Sequence, residues 1–154
     1  MACRLLPAAL LAALALAGCG NGPERPPSLS RLPLAPRTHV QTAVRVCDPG
    51  QNAFCALELV VVGRGYRSSR GLLDTEYATL HRDGWREAGA PIGQEHAADS
   101  PQRKLRVIYA TAAGDLEAVD LGWIHRARRV TLALSRALFA HRSALSLTLE
   151  LDTG

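Results

Sequence analysis

The chain has 154 residues, 47% of them hydrophobic, with 18 Lys+Arg against 14 Asp+Glu for a formal net charge of +4. That is one domain's worth of sequence, with enough apolar residues to build a core. The charge excess is too small to mark a nucleic-acid binder, and arginine supplies nearly all of it, since Lys104 is the only lysine.

The first segment is MACRLLPAALLAALALAGCGNG. Arg4 precedes an apolar stretch from Leu5 to Ala17, thirteen residues long. A membrane-spanning helix needs roughly 17 to 25. One positive charge before a short apolar run is the layout of a secretory signal.

Leu16-Ala17-Gly18-Cys19 resembles the lipobox of bacterial lipoprotein signal peptides, in which an aliphatic residue and two small ones precede a cysteine. The resemblance implies a signal peptide over residues 1–18 and a diacylglyceryl group on the Cys19 sulfur. It further implies a mature chain anchored to a membrane on the extracytoplasmic side of the cell envelope. Two acyl chains hold a protein stably, where one is marginal.

Of the four cysteines, Cys3 leaves with the signal and Cys19 carries lipid. Cys47 and Cys55 remain, and an even remainder in an exported protein reads as one disulfide. Asp48-Pro49-Gly50 supplies the turn between them. Residues 19–40 contain the lipidated cysteine and a proline-rich flexible linker. Residues 41–154 are then a single domain.

Within that domain, Cys55 to Val62 is β-branched and ends at Gly63, a buried strand. Leu73, Tyr77 and Leu80 share one helix face, with Ser68 or Ser69 as the cap and Gly84 as the stop. Trp85 to Ala88 is a short second strand. Residues 89–102, punctuated by Gly89, Pro91, Gly93 and Pro101, read as a loop. Leu105 to Thr111 is a third strand. From Leu116, apolar residues recur at Val119, Trp123, Ala127, Val130, Leu134, Leu138 and His141, predicting a long helix interrupted at Gly122. Val130 to Ser135 also alternates, so residues 128–136 carry a strand alternative. Leu145 to Asp152 alternates without a fault, as a strand with one buried face does.

The order β-α-β-β-α-β is similar to a ferredoxin-like split βαβ sandwich, an α+β fold with two helices on one face of an antiparallel sheet. That resemblance leaves the other face open, with Glu58, Ser146, Thr148 and Glu150 on it. Trp85 and Trp123 are expected to anchor the core.

Chemical motifs are sparse. Gly63-Arg64-Gly65 follows a strand and opens a helix, but Ser68 stands where a dinucleotide fingerprint needs its third glycine. Arg64, Arg67 and Arg70 lie near that helix start and are candidate anion ligands. Glu95-His96-Ala-Ala-Asp99 is the nearest approach to a metal cluster, in an expected loop, and no metal or other cofactor is assigned. Arg126, Arg128 and Arg129 form the densest basic cluster, either a wet helix face or a contact for anionic lipid headgroups or an acidic wall polymer. No catalytic pair stands out. The sequence therefore points to a non-enzymatic, lipid-anchored envelope interaction domain with a protein partner and no nucleic acid. The alternative is a small-ligand or anion binder using the Arg64 to Arg70 turn.

Overall fold

The computed structural model describes residues 27–47 and 55–151. The signal peptide, Cys19 with its lipobox, and the turn after Cys47 lie outside the described residues.

β1 (Thr38–Cys47) and β2 (Cys55–Gly63) pair antiparallel from Thr38 opposite Gly63 to Cys47 opposite Cys55. The Cys47–Cys55 disulfide closes that end. β1 was not foreseen as a strand, although every second residue along it is half-buried. Its register shifts between Val40 and Thr42. The shift sends Val40 to one side of the sheet and Val44 to the other, as a bulge does by adding one residue to a period of two.

α1 (Ser69–Arg82) is capped as its sequence predicts: the Ser68 hydroxyl accepts from Gly71 N at 3.1 Å. Gly84 leaves the helix at φ +82°, a conformation open to glycine at little cost. β3 (Arg86–Glu87) is brief, and β4 (Glu95–Asp99) falls inside the expected loop. β4 has no β-branched residue; it is a strand because it pairs with β5 (Leu105–Thr111) from Glu95 opposite Ala110 to Asp99 opposite Arg106. The helix expected after Leu116 with an interruption at Gly122 is two helices, α2 (Ala112–Asp120) and α3 (Arg128–Phe139). Gly122, at φ +74°, turns the chain between them. Val130 to Ser135 is helical, which removes the strand alternative. β6 (Ala144–Leu151) completes a six-stranded sheet in the order β1-β2-β6-β5-β4-β3, antiparallel throughout.

The fold is thus α+β and broadly ferredoxin-like in the order of strands and helices around an antiparallel sheet, with β1 and β4 added to the expected succession. Its layering differs from the two-layer sandwich. Leu57, Leu59 and Val61 of β2 pack with Leu72, Leu73 and Leu80 of α1, whereas Val60 and Val62 pack with Val130, Leu134 and Ala137 of α3. Alternate residues of one strand point to opposite faces, so α1 covers one side of the sheet and α3 the other. β2 is apolar at nearly every position for this reason: a strand covered on both faces has no solvent side.

Consequently the face expected to be open is closed. Glu58, Ser146 and Thr148 are buried, and Glu150 is half-buried at the end of β6. The linker is also shorter than its prolines suggest. Leu29–Arg31 forms one 3-10 turn, and Leu32 and Ala35 join the core on the α1 side. The Ala35 N–H donates to Glu76 Oε2 at 2.7 Å and the Tyr66 hydroxyl donates to Pro36 O at 2.7 Å. Proline removes a donor without preventing burial of its neighbours, and residues 29–40 belong to the fold.

Candidate functional site

Arg64, Arg67 and Arg70 are all exposed, and Arg70 Nε pairs with Asp74 Oδ1 at 3.2 Å. Gly63 serves packing, since a Cβ there would lie 2.5 Å from the Tyr66 ring, and Gly65 turns the chain at φ +76°. Ser69 Oγ accepts from Ala144 N at 3.0 Å, tying the turn to β6.

Glu95 and His96 separate, since neighbours on a strand face opposite ways. His96 lies on the α1 side between Tyr77 and Tyr109, with ring centroids 5.9 and 5.5 Å away. Asp99 is taken by Arg106, with Nε to Oδ1 at 2.8 Å. Among the described residues no group of three or more His, Cys, Asp or Glu side chains is placed to hold a metal.

The other side of the sheet is different. Where the fold resemblance left a free surface, a polar network fastens the α2–α3 connection to the strands. Arg126 reaches inward, its side chain only 8% exposed. Its Nε and Nη2 donate to Asp115 Oδ1 at 3.0 and 2.9 Å, and Nη1 donates to Thr148 Oγ1 at 2.7 Å. Ser146 Oγ donates to the same Asp115 oxygen at 2.8 Å. Glu58 Oε1 stands 3.8 Å from Arg126 Nη1, and Glu58 Oε2 accepts from Ala127 N at 3.1 Å. Arg126 was read with Arg128 and Arg129 as one exposed cluster; only the latter two are exposed. Charge in an apolar setting is tolerated when paired and hydrogen-bonded, and one arginine here answers two carboxylates.

Beside this network lies a cavity of about 470 Å³. Its walls are Ile92, Ile108, Ala118 and Ile124, with Glu95, Glu117, Trp123 and Arg126 among the polar and aromatic lining residues. Three local features shape it. Thr111 caps α2, accepting from Gly114 N at 3.1 Å, and its hydroxyl bonds Gln94 Oε1 at 2.7 Å. Gly114 allows α2 to approach the β3–β4 loop closely, because a Cβ there would be 3.0 Å from Gln94 Cβ. The Trp123 N–H donates to Ala118 O at 2.9 Å across the Gly122 turn, which ends α2 and turns the indole outward.

Trp123, expected in the core, is 76% exposed, whereas Trp85 is 4% exposed and packs as expected. The helical phase that would have buried Trp123 is lost when α2 ends before it.

Burial pushes the Glu95 carboxyl above the ordinary carboxylate range; the Arg126 guanidinium pulls it back and the negative Asp115 adds to the rise. Arg126 is engaged by Asp115, Thr148 and Glu58, which leaves Glu95 and Glu117 as the acceptors facing the cavity. Apolar walls, the exposed Trp123, a half-buried Glu95 and an exposed Glu117 suit a molecule with an apolar body and a positively charged end. No protein-family model, curated protein or solved structure matches the chain.

Proposed function

We propose that the protein is a lipid-anchored, extracytoplasmic binding lipoprotein, non-enzymatic, whose domain holds a small amphipathic cation in the cavity between α2, β4 and β5. The cavity carries this reading. Its volume, about 470 Å³, lies in the range of roughly 300–1,000 Å³ usual for small-ligand sites. Glu95 gives the site its preference of charge, and Trp123 gives a cation a π face at the rim.

The anchor rests on the resemblance of Leu16-Ala17-Gly18-Cys19 to a lipobox. The Cys47–Cys55 disulfide supports the same compartment, because such bonds persist where the surroundings are oxidising. The envelope accessory role keeps its compartment under this reading and changes its surface. Glu58, Ser146 and Thr148 are occupied in holding Arg126 and its connection, so the binding surface moves from the strands to the cavity.

Thermal unfolding of the whole chain against paired ligands tests the proposal. Aryl- and alkylamines should raise the melting temperature, and carboxylates of the same carbon skeleton should not. At a ligand concentration 100 times Kd the expected stabilisation is about 2.7 kcal/mol. Glu95→Gln should abolish the preference for amines, and lowering the pH should weaken it as Glu95 takes up a proton. Equal shifts with amines and carboxylates, or none with either, would exclude this ligand class.

A further inference from the structure

The outer face of α3 has a chemistry that the cavity does not explain. Between Asp120 and Glu150 the chain runs for 29 residues without an acidic side chain, and it carries five arginines there. Arg126 turns inward, while Arg128, Arg129, Arg136 and Arg142 are exposed. None of these four makes an ion pair among the described residues.

Large apolar side chains stand among them. Arg129, Leu132, Arg136 and Phe139 follow one another at three- and four-residue steps along one stripe of the helix. Leu132 is 45% and Phe139 88% exposed. Beside the stripe, a groove of about 390 Å³ between α3 and β1 brings Arg129, Arg136 and Arg142 around Leu132 and Ala140. The exposed face of α1, on the other side of the sheet, is charge-mixed, with Asp74 and Asp83 beside Arg70 and Arg82.

We propose that the outer face of α3 docks on the anionic surface of the bilayer that holds the lipid anchor, with Phe139 and Leu132 entering the headgroup layer and Arg129, Arg136 and Arg142 meeting lipid phosphates. Basic residues flanking exposed Leu and Phe are the composition of a helix that lies in a membrane interface. Arginines held near an anionic leaflet are each attracted by about five-fold in partition. A second copy of this chain fits less well, because the same arginines would face each other across a symmetric contact.

The inference rests on the anchor proposed for Cys19. The chain from Cys19 to Leu29 spans at most about 33–36 Å when fully extended. Leu29 packs on the α1 side of the sheet. Three layers, each about 10 Å thick, make up the depth from that side to the outer face of α3, which is within the tether's extended length. Arg31 lies beside Trp85, Ser100 and Lys104 near the β3–β4 edge of the sheet, where the tether can pass around the fold.

The test uses the acylated protein reconstituted in vesicles and labelled with a nitroxide at Ala140→Cys, or at Asp74→Cys on α1 as the control. Relaxation by oxygen and by a water-soluble nickel chelate reports whether each label meets lipid or water. In vesicles of phosphatidylglycerol and phosphatidylcholine, the label at 140 should become lipid-exposed and the label at 74 should stay in water. Pure phosphatidylcholine should return both to water. The triple variant Arg129→Ala/Arg136→Ala/Arg142→Ala removes only exposed side chains. It should lower the docked-to-free ratio about 100-fold at about five-fold per arginine, with thermal unfolding unchanged.

A label at 140 that stays in water on anionic vesicles overturns the docking, as does equal immersion in neutral ones. Protection of position 140 in solution without vesicles would assign the face to a second copy and overturn it equally. The mass of the same sample separates this from the anchor: an unacylated Cys19 with an immersed label refutes the anchor and leaves the docking.

Discussion

Replacing Arg126 by alanine should lower the free energy of unfolding by about 3–5 kcal/mol, the range for breaking one side of a buried ion pair. A domain of this size has about 5–15 kcal/mol in total, so the loss removes between about a fifth and all of its stability. The loss is large because of what stays behind. Asp115 is fully buried and receives Arg126 Nε, Arg126 Nη2 and Ser146 Oγ on one oxygen, while its other oxygen has no hydrogen-bond partner among the described residues. Without the guanidinium, Asp115 and the buried Glu58 face each other's field with no cation between them, and the Thr148 hydroxyl loses its donor. The same change frees the α2–α3 connection and with it one wall of the cavity. A double variant, Arg126→Met with Asp115→Leu, should be less destabilised than Arg126→Ala alone, because no unpaired Asp115 charge remains. Urea unfolding measures all of these. A loss below about 1 kcal/mol for Arg126→Ala would put the pair in the solvent-exposed class and remove the network as the fastening of the connection.

Glu76→Gln should act in the opposite direction, and only at higher pH. Glu76 lies in α1 with no exposed surface. One carboxyl oxygen accepts from Ala35 N, and the other has no partner among the described residues. Burial pushes its pKa up to about 7 from 4.5, against the lowering effect of the Ala35 hydrogen bond. Because the folded-state pKa exceeds the unfolded one, the folded protein binds more protons across this interval. The contribution of Glu76 to stability is fully present below pH 4.5 and is lost as the pH rises through about 7. At about 1.4 kcal/mol per pH unit the difference totals about 3 kcal/mol. Glutamine keeps an acceptor for Ala35 N and carries no charge. The variant should therefore match the wild type near pH 4.5 and exceed it by about 3 kcal/mol at pH 8. Glu95, also shifted upward but half-exposed, contributes in the same direction and less. Urea midpoints of the two proteins at both pH values decide the matter, and a difference independent of pH would mean that Glu76 is charged in the fold.

Both residues show where the sequence was readable. The apolar run of β2, the Ser68 cap of α1, Gly84 as its stop and the disulfide partners Cys47 and Cys55 are local signals, and the folded chain uses each of them. The layering was not local. β6 alternates as Leu145-Ser146-Leu147-Thr148-Leu149, which reads as one apolar face and one wet face; the polar face is nevertheless buried under Arg126 and Asp115, contributed by a segment far away in sequence. Alternation distinguishes apolar from polar, and not dry from wet. β4 escaped notice because Glu95-His96-Ala97-Ala98-Asp99 has no strand propensity of its own and takes its conformation from β5 and β3. The helix face read from Leu116 to His141 holds within α2 and α3 and is interrupted, as read, at Gly122, with Trp123 and His141 outside both helices. Gly122 marked the break, and its consequence, an outward Trp123 and an inward Arg126, depends on how the chain re-enters the helix at Arg128. Of the cavity, Glu95 was read only beside His96 and Asp99 and Trp123 only as a core anchor, and the tertiary fold alone brings the two to one site.

The most direct test of the central claim is the intact mass, under native and denaturing conditions, of the protein extracted gently from its own membranes. The account predicts a denatured chain that begins at Cys19, carries acyl chains and lacks two hydrogens for the Cys47–Cys55 bond. It also predicts an added mass, retained only under native conditions and lost in Glu95→Gln, that belongs to an amine. An unacylated chain beginning at Met1, with no retained mass, would contradict both the anchor and the bound cation.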